Sequence, residues 1–254
     1  MNRDTTSPFG RHISTRYDDE LEDVRQRLLA MGGLVERQLD DGLRALIRGD
    51  AELGEAIVHR DAEVNDMEIA IDEECARIIA RRQPTAGDLR VIVGMLKSIT
   101  DLERVGDEAC KLGKAALEPG GDRPLDRALG EGLRRLGEHV QLMLGDALAA
   151  FAHLDAEAAP RIAREESRID DEYEALSRQV VTYMLEDPRT IQRVLALMWA
   201  TRGLERIADH ARNLCEYVVY MVAGQDIRHT DPEDARQVLG ERGPADDGGR
   251  EPAG

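Results

Sequence analysis

Apolar residues recur every three or four positions through most of this chain. Tyr17, Leu21, Val24, Leu28, Met31 and Val35 form the first such stripe, the spacing of an amphipathic helix. "RGDAEL" interrupts it, and Asp50 is placed to cap a second helix that carries Val64, Ile71 and Ile78. "RRQPTAGD" ends that helix, because Pro84 cannot continue it, and Thr85 or Asp88 can start a third. The third runs through Ile92, Leu96, Ile99 and Leu102 to about Leu117, and "EPGGDRP" then makes the strongest interior break. A fourth stripe follows at Leu129, Leu133, Leu136, Val140, Met143 and Ala147. Asp155 caps a fifth helix. Asp187 with Pro188 marks the start of a sixth, which passes Val194, Met198 and Leu204 to about Val222.

The second half repeats the first. Asp50 and Asp155 stand 105 residues apart, as do Met31 and Leu136, Gly32 and Gly137, and Val35 and Val140. "LERVGD" begins at Leu102 and "LERIAD" at Leu204, an offset of 102, so the second copy is three residues shorter near its second turn. The pattern predicts an all-α fold of two tandem, internally duplicated three-helix bundles. Their bounds are 17–118 and 124–225, with a flexible N-terminus over 1–16 and a mostly disordered acidic tail over 226–254. The tail is polar and rich in Gly and Pro, with room for a short helix around Arg236. Helices of roughly 30 residues each run about 45 Å, so the bundles are elongated and lie end to end or side by side. Gly32–Gly33 predicts a close helix approach or a bend within helix one.

Composition narrows the function. Aromatics are only 3% of the chain, which suits packed helices, and 33% of residues are charged. Thirty-four basic against 51 acidic residues leave a net charge of −17, which repels nucleic-acid backbones and favours cations or basic partner surfaces. Cys75, Cys110 and Cys215 are isolated, without metal-binding spacing, and imply reduced thiols in a cytoplasmic protein. No run of 18 apolar residues is present, and the N-terminus lacks the apolar stretch of a signal peptide. The six histidines are scattered and read as ordinary helix or surface residues; Tyr217, Tyr220 and Met221 read as packing or a dimer contact.

The candidate chemistry lies in the repeated acidic pairs. Glu103 with Asp107, and Glu205 with Asp209, are four residues apart and share a helix face that runs along an apolar stripe. On the preceding helices Asp61, Asn65, Glu68 and Asp72 share one face; Glu166 and Asp170 stand 105 residues beyond Asp61 and Asn65. If the helices are neighbours, each half brings four oxygen-bearing side chains together. ExxxD pairs are common on solvated faces, and one alone means little; recurrence at duplicated positions is what sets these apart. Like charges on one face destabilise a helix by roughly 0.2–0.5 kcal/mol per pair, a cost that a cation, an arginine or water relieves. Arg104 points about 100° from Glu103 and is better placed to pair with Glu108; Arg206 reaches Glu205 only around the helix. An all-oxygen donor set suits hard ions such as Mg, Mn, Ca or Fe. Glu-x-x-His, the mark of di-iron bundles, is missing: Gly106 and Ala208 occupy its histidine positions.

Taken in order, "MGGLVERQL", "VNDMEIAIDEECARIIARRQPTAGDLR", "LERVGDEA", "EYEALSRQVVTYMLEDPRTI", "LERIADHARNLCEYVVY" and "GQDIRH" make the chain resemble the PhoU family over about residues 11–230. The resemblance implies paired three-helix bundles, a cytoplasmic homodimer and no enzyme activity. It also implies repression of the phosphate-starvation (Pho) regulon when phosphate is plentiful. The protein would then couple the phosphate-specific transporter, through its ATPase PstB, to the sensor kinase PhoR, and would meet the membrane only through these partners. Metal sites on E(D)xxxD motifs carry over to Glu103, Asp107, Glu205, Asp209, Glu166 and Asp170, with Asp61 and Asn65 as the first-half pair. Asn65 in place of an acid implies a weaker first site, while Ala208 for Gly106 implies little effect. The alternative reading is a helical-bundle metal store or metal-dependent enzyme built on the same carboxylates.

Overall fold

Side-chain caps and left-handed residues set the helix ends. α1 (Thr15–Arg48) gives way to α2 (Ala51–Arg82) at Gly49, whose φ is +70°, and at Asp50, whose Oδ1 accepts from the Leu53 N–H at 3.0 Å. α2 closes on Gln83, also left-handed, with its N–H on the Ile79 carbonyl. Thr85 stands at the start of α3 (Ala86–Leu117) but donates to Asp88 instead of capping the backbone. α4 (Arg127–His153) is capped by Asp126, and Asp155 caps a short 3-10 turn (Ala156–Ala158) that leads into α5 (Ala159–Glu186). α6 (Ile191–Ala223) ends on Gly224, φ +71°. The structure is a computed structural model and describes residues 15–118, 121, 123–186 and 190–227. Most of the expected flexible N-terminus, the Asp187–Pro188 start signal and almost all of the acidic tail lie outside the described residues. α1 begins two residues before the expected bound, and no strand is present among the described residues.

α1–α3 and α4–α6 form two bundles, and they lie side by side. α3 packs on α6 as extensively as on α1 and α2, and α1 packs on α4; α2 is held by α1 and α3, and α5 by α4 and α6. One continuous core results, running from Leu21 and Leu28 of α1 through Ile99 and Leu102 of α3 to Leu204 and Val218 of α6. The break at residues 118–126 therefore separates two copies in sequence but not two hydrophobic cores.

The bundles meet as a near-symmetric pair. A Cβ on Gly32 would lie 2.5 Å from Leu148 Cδ2, and a Cβ on Gly137 would lie 2.5 Å from Leu43 Cδ1. Gly32 and Gly137 are 105 residues apart, and so are Leu43 and Leu148. The expected close approach at Gly32 is thus the α1–α4 contact, made twice by equivalent residues. Gly49 serves the connection instead: a Cβ there would stand 2.4–2.5 Å from Arg123 backbone atoms, and Leu125 N–H donates to the Ile47 carbonyl. Gly49→Ala is expected to cost roughly 1–3 kcal/mol, since it adds a left-handed penalty to a backbone clash. Urea unfolding of that variant checks this.

Candidate functional site

In the first bundle Asp61 and Glu68 on α2 come within electrostatic reach of Glu103 and Asp107 on α3, with Asn65 one turn along from Asp61. Burial pushes Asp61 up from the usual carboxylate range, and the Asp107 charge adds to it. Glu103 is raised by burial and by Asp107, Glu68 and Asp61; Glu68 is raised by burial and by Asp72. The Cys110 thiol, one turn beyond Asp107, donates to the Asp61 carboxylate. Behind this pair lies Gln38 of α1, fully buried with neither amide atom hydrogen-bonded among the described residues. A Cβ on Gly106 would stand 3.4 Å from its Oε1 and 3.2 Å from Val64 Cγ1. In the second copy Ala208 stands in place of Gly106, and Met143 in place of Gln38.

The second bundle sets Glu166 and Asp170 on α5 against Glu205 and Asp209 on α6. These four carboxylates act on one another electrostatically, with guanidinium groups among them. Arg212 Nη1 lies 2.5 Å from Glu166 Oε1, and Arg202 Nη1 lies 3.0 Å from Glu205 Oε1 while its guanidinium covers the Tyr173 ring. Burial pushes Glu166 up to about 7; Arg212 opposes this, and the Asp209 charge and hydrogen bond add to it. Asp170 and Glu205 are raised by burial and then by Asp209. Glu205 Oε2 is buried without a hydrogen-bond partner among the described residues.

The two sites therefore differ in their countercharge. Arg212 occupies the position of Cys110, Arg202 that of Thr100, both 102 residues on, and Tyr173 that of Glu68, 105 residues on. The sequence places Arg212 on the acidic face, yet its ion pair with Glu166 depends on how α5 lies against α6.

Sequence reasoning missed a polar crossing between α3 and α6. Asp101, 2% exposed, faces buried His210, whose Nδ1 is 2.7 Å from its Oδ1; Asn213 Nδ2 is 3.4 Å away. Burial would raise Asp101, but hydrogen bonds from His210, Tyr217 and Asn213 outweigh it and hold the carboxyl below its usual range. Glu108, also buried, is gripped by Lys111 at 3.0 Å and by Arg206 of the other bundle at 2.7 Å. Two expectations are corrected. Arg104 lies 3.9 Å from Asp101 instead of pairing with Glu108, and His210 is a buried bridge, not a surface residue. Both errors come from reading one helix at a time. The three cysteines are free and buried. Tyr217 and Tyr220 pack under Lys97, whose Nζ is 5.5 and 5.0 Å from their ring centres.

The donor chemistry fits a hard cation: carboxylates raised by one another and an orphaned Glu205 oxygen. Among the described residues no three His, Cys, Asp or Glu side chains stand close enough together to hold a metal ion. Among them, too, no helix is long and apolar enough to cross a membrane.

The PhoU domain matches the chain twice, over residues 28–116 and 133–218. The phosphate-specific transport system accessory protein PhoU homolog of Pseudomonas putida is 50% identical over 218 residues, covering 86% of this chain and 85% of the relative. The crystal structure of PhoU from Pseudomonas aeruginosa superposes with a TM-score of 0.78 at 49% identity, covering 82% of this chain and all of that one. The crystal structure of the phosphate transport system regulatory protein PhoU from Streptococcus pneumoniae does so at 0.75 and 33% identity, over 83% and 98%.

Proposed function

Since the chain belongs to the PhoU family, we propose that it regulates phosphate transport as an accessory protein of a phosphate-specific transporter. In this reading it is a cytoplasmic adaptor, acting as a homodimer by contact and not by catalysis. It couples the transporter ATPase PstB to the kinase PhoR and represses the Pho regulon when phosphate is plentiful. The observation that carries it is the likeness to accessory proteins of that transport system over nearly the whole chain, both acidic faces included. Biasing a two-state kinase needs a few kcal/mol of differential contact, within reach of extended helix faces. Deletion in the source bacterium is expected to switch an alkaline phosphatase reporter on in phosphate-rich medium and to loosen phosphate uptake. An unchanged reporter and unchanged uptake would defeat the proposal.

The orphaned Glu205 oxygen and the mutually raised carboxyls favour a metal-binding component of this reading. Glu103, Asp107, Asp61 and Asn65 would hold one hard ion, and Glu205, Asp209, Glu166 and Asp170 another; the bound ion would neutralise charge that the fold leaves concentrated. Because Arg202 and Arg212 already supply countercharge in the second bundle, the first is the more cation-hungry, despite Asn65. Manganese titration by calorimetry should show binding that Glu103→Gln weakens more than Glu205→Gln does. The opposite order would assign the stronger site to the second bundle, and no heat in the wild type would remove the metal altogether.

A further inference from the structure

A groove of about 320 Å³ opens where the C-terminal third of α3 meets the N-terminal third of α6. Ala115, Leu195, Ala196 and Ala200 line it, and Trp199 stands at its edge, 72% exposed. Trp199 is the chain's one tryptophan. Ile191 and Leu195, 40% and 39% exposed, continue its stripe along α6, and Leu117 adds an exposed apolar side chain from α3. An exposed tryptophan heading an apolar stripe beside a groove is the composition of a contact anchor.

The internal duplication explains why the groove is open. Its equivalent on the other side of the α3–α6 crossing is filled. Ala115 and Glu118 correspond, 102 residues on, to Tyr217 and Tyr220, and Lys97 corresponds to Trp199. There the two tyrosine rings occupy the space and Lys97 lies over them. The same backbone arrangement is thus closed once by the chain's own side chains and left open once, by alanine.

The rim is basic, in a molecule of net charge −17. Lys111 and Lys114 line the α3 wall. Arg206 follows Trp199 two turns on along α6, whereas Arg202 is turned to Glu205 and the Tyr173 ring of the second acidic face. Lys111 and Arg206 share the single carboxylate of Glu108, two cations to one anion, and Lys114 has the Cys110 thiol and the more distant Asp61 charge as its neighbours. Against these stands Glu118, also on the wall. The local surplus is positive, so the surface complements acidic side chains, while the groove takes apolar ones.

We propose that this α3–α6 groove docks an amphipathic helical segment of another protein, one that presents an apolar stripe flanked by Asp and Glu. Apolar side chains enter beside Trp199 and Ala115, and the acidic flanks meet Lys111, Lys114 and Arg206. The inference goes beyond the regulatory reading, and its test uses the purified full chain, so it can fail without affecting the reporter experiment.

The probe is a synthetic 18-residue helical peptide with leucines at helical spacing and glutamates on both flanks; the control carries lysines for the glutamates. Trp199 emission reports directly on the groove. The acidic peptide is expected to shift it to the blue and to saturate, with the lysine peptide at least tenfold weaker. Ala115→Tyr, which copies the closed side, should weaken binding at least tenfold. Lys114→Glu, an exposed change that spares the Lys111–Glu108 pair, should also weaken binding severalfold even if Ala115→Tyr misfolds. Three results overturn the proposal: no shift with the acidic peptide, equal binding of both peptides, or emission that moves with protein concentration alone. The last would make a second copy of this chain the occupant.

Discussion

Asp101→Ala is expected to destabilise the protein by about 2–3 kcal/mol, the scale for leaving buried hydrogen-bond donors without their acceptor. Asp101 is buried at the α3–α6 crossing, where His210, Asn213 and the Tyr217 hydroxyl all bond to its carboxylate. Alanine leaves these groups facing one another without an acceptor where α3 packs on α6. The pair lies between the bundles, so the loss should show as one cooperative transition at lower denaturant. Two separated transitions would mean that the bundles fold independently and that the crossing is dispensable. A loss under about 1 kcal/mol would mean that water replaces the carboxylate at no great cost. Asp101→Asn keeps an acceptor and should recover part of the stability.

Acidification from about pH 7.5 to about pH 5.5 should stabilise this protein, against the usual trend. Burial and neighbouring carboxylates raise Asp61, Glu68, Glu103, Glu166, Asp170 and Glu205. A carboxyl raised on folding holds its proton in the native chain across an interval where the unfolded chain has lost it. Stability therefore falls as pH rises through that interval, for Glu166 from its ordinary 4.5 to about 7. Of the raised carboxyls Glu166 moves furthest, so it should contribute most to the fall. At the acid end the trend reverses. Asp101, Glu20 and Glu22 are lowered on folding, so the stability they contribute is lost below about pH 4. Urea unfolding at a series of pH values should give a maximum near pH 4–5, and Glu166→Gln should flatten the fall between about 4.5 and 7. Stability that climbs steadily to pH 8 would show that the acidic faces carry no such strain. Metal ions at neutral pH should mimic the proton if the carboxylates bind them.

Much of this molecule is legible along one strand of text because helices are local. A hydrogen bond from residue i reaches back to i−4, so the apolar stripes, the Asp50 and Asp155 caps and the breaks at "RGDAEL" and Pro84 follow from neighbours in sequence. Duplication is legible for the same reason: equal offsets need no coordinates. The acidic pairs share a face by helical spacing alone, and their grouping across α2 and α3, and α5 and α6, required only that consecutive helices pack. What lay beyond the sequence is everything set by side-chain contacts between helices, from 46 residues apart for Arg212 and Glu166 to 109 for Asp101 and His210. That α3 crosses α6, that Asp101 finds His210 and Glu108 finds Arg206, and that Arg212 neutralises Glu166 are decided by interhelical docking, which fixes the rotation of each helix about its axis. Ala115 and Tyr217 are equivalent in the repeat, yet only the packed pair of bundles turns that difference into an open groove on one side and a filled one on the other.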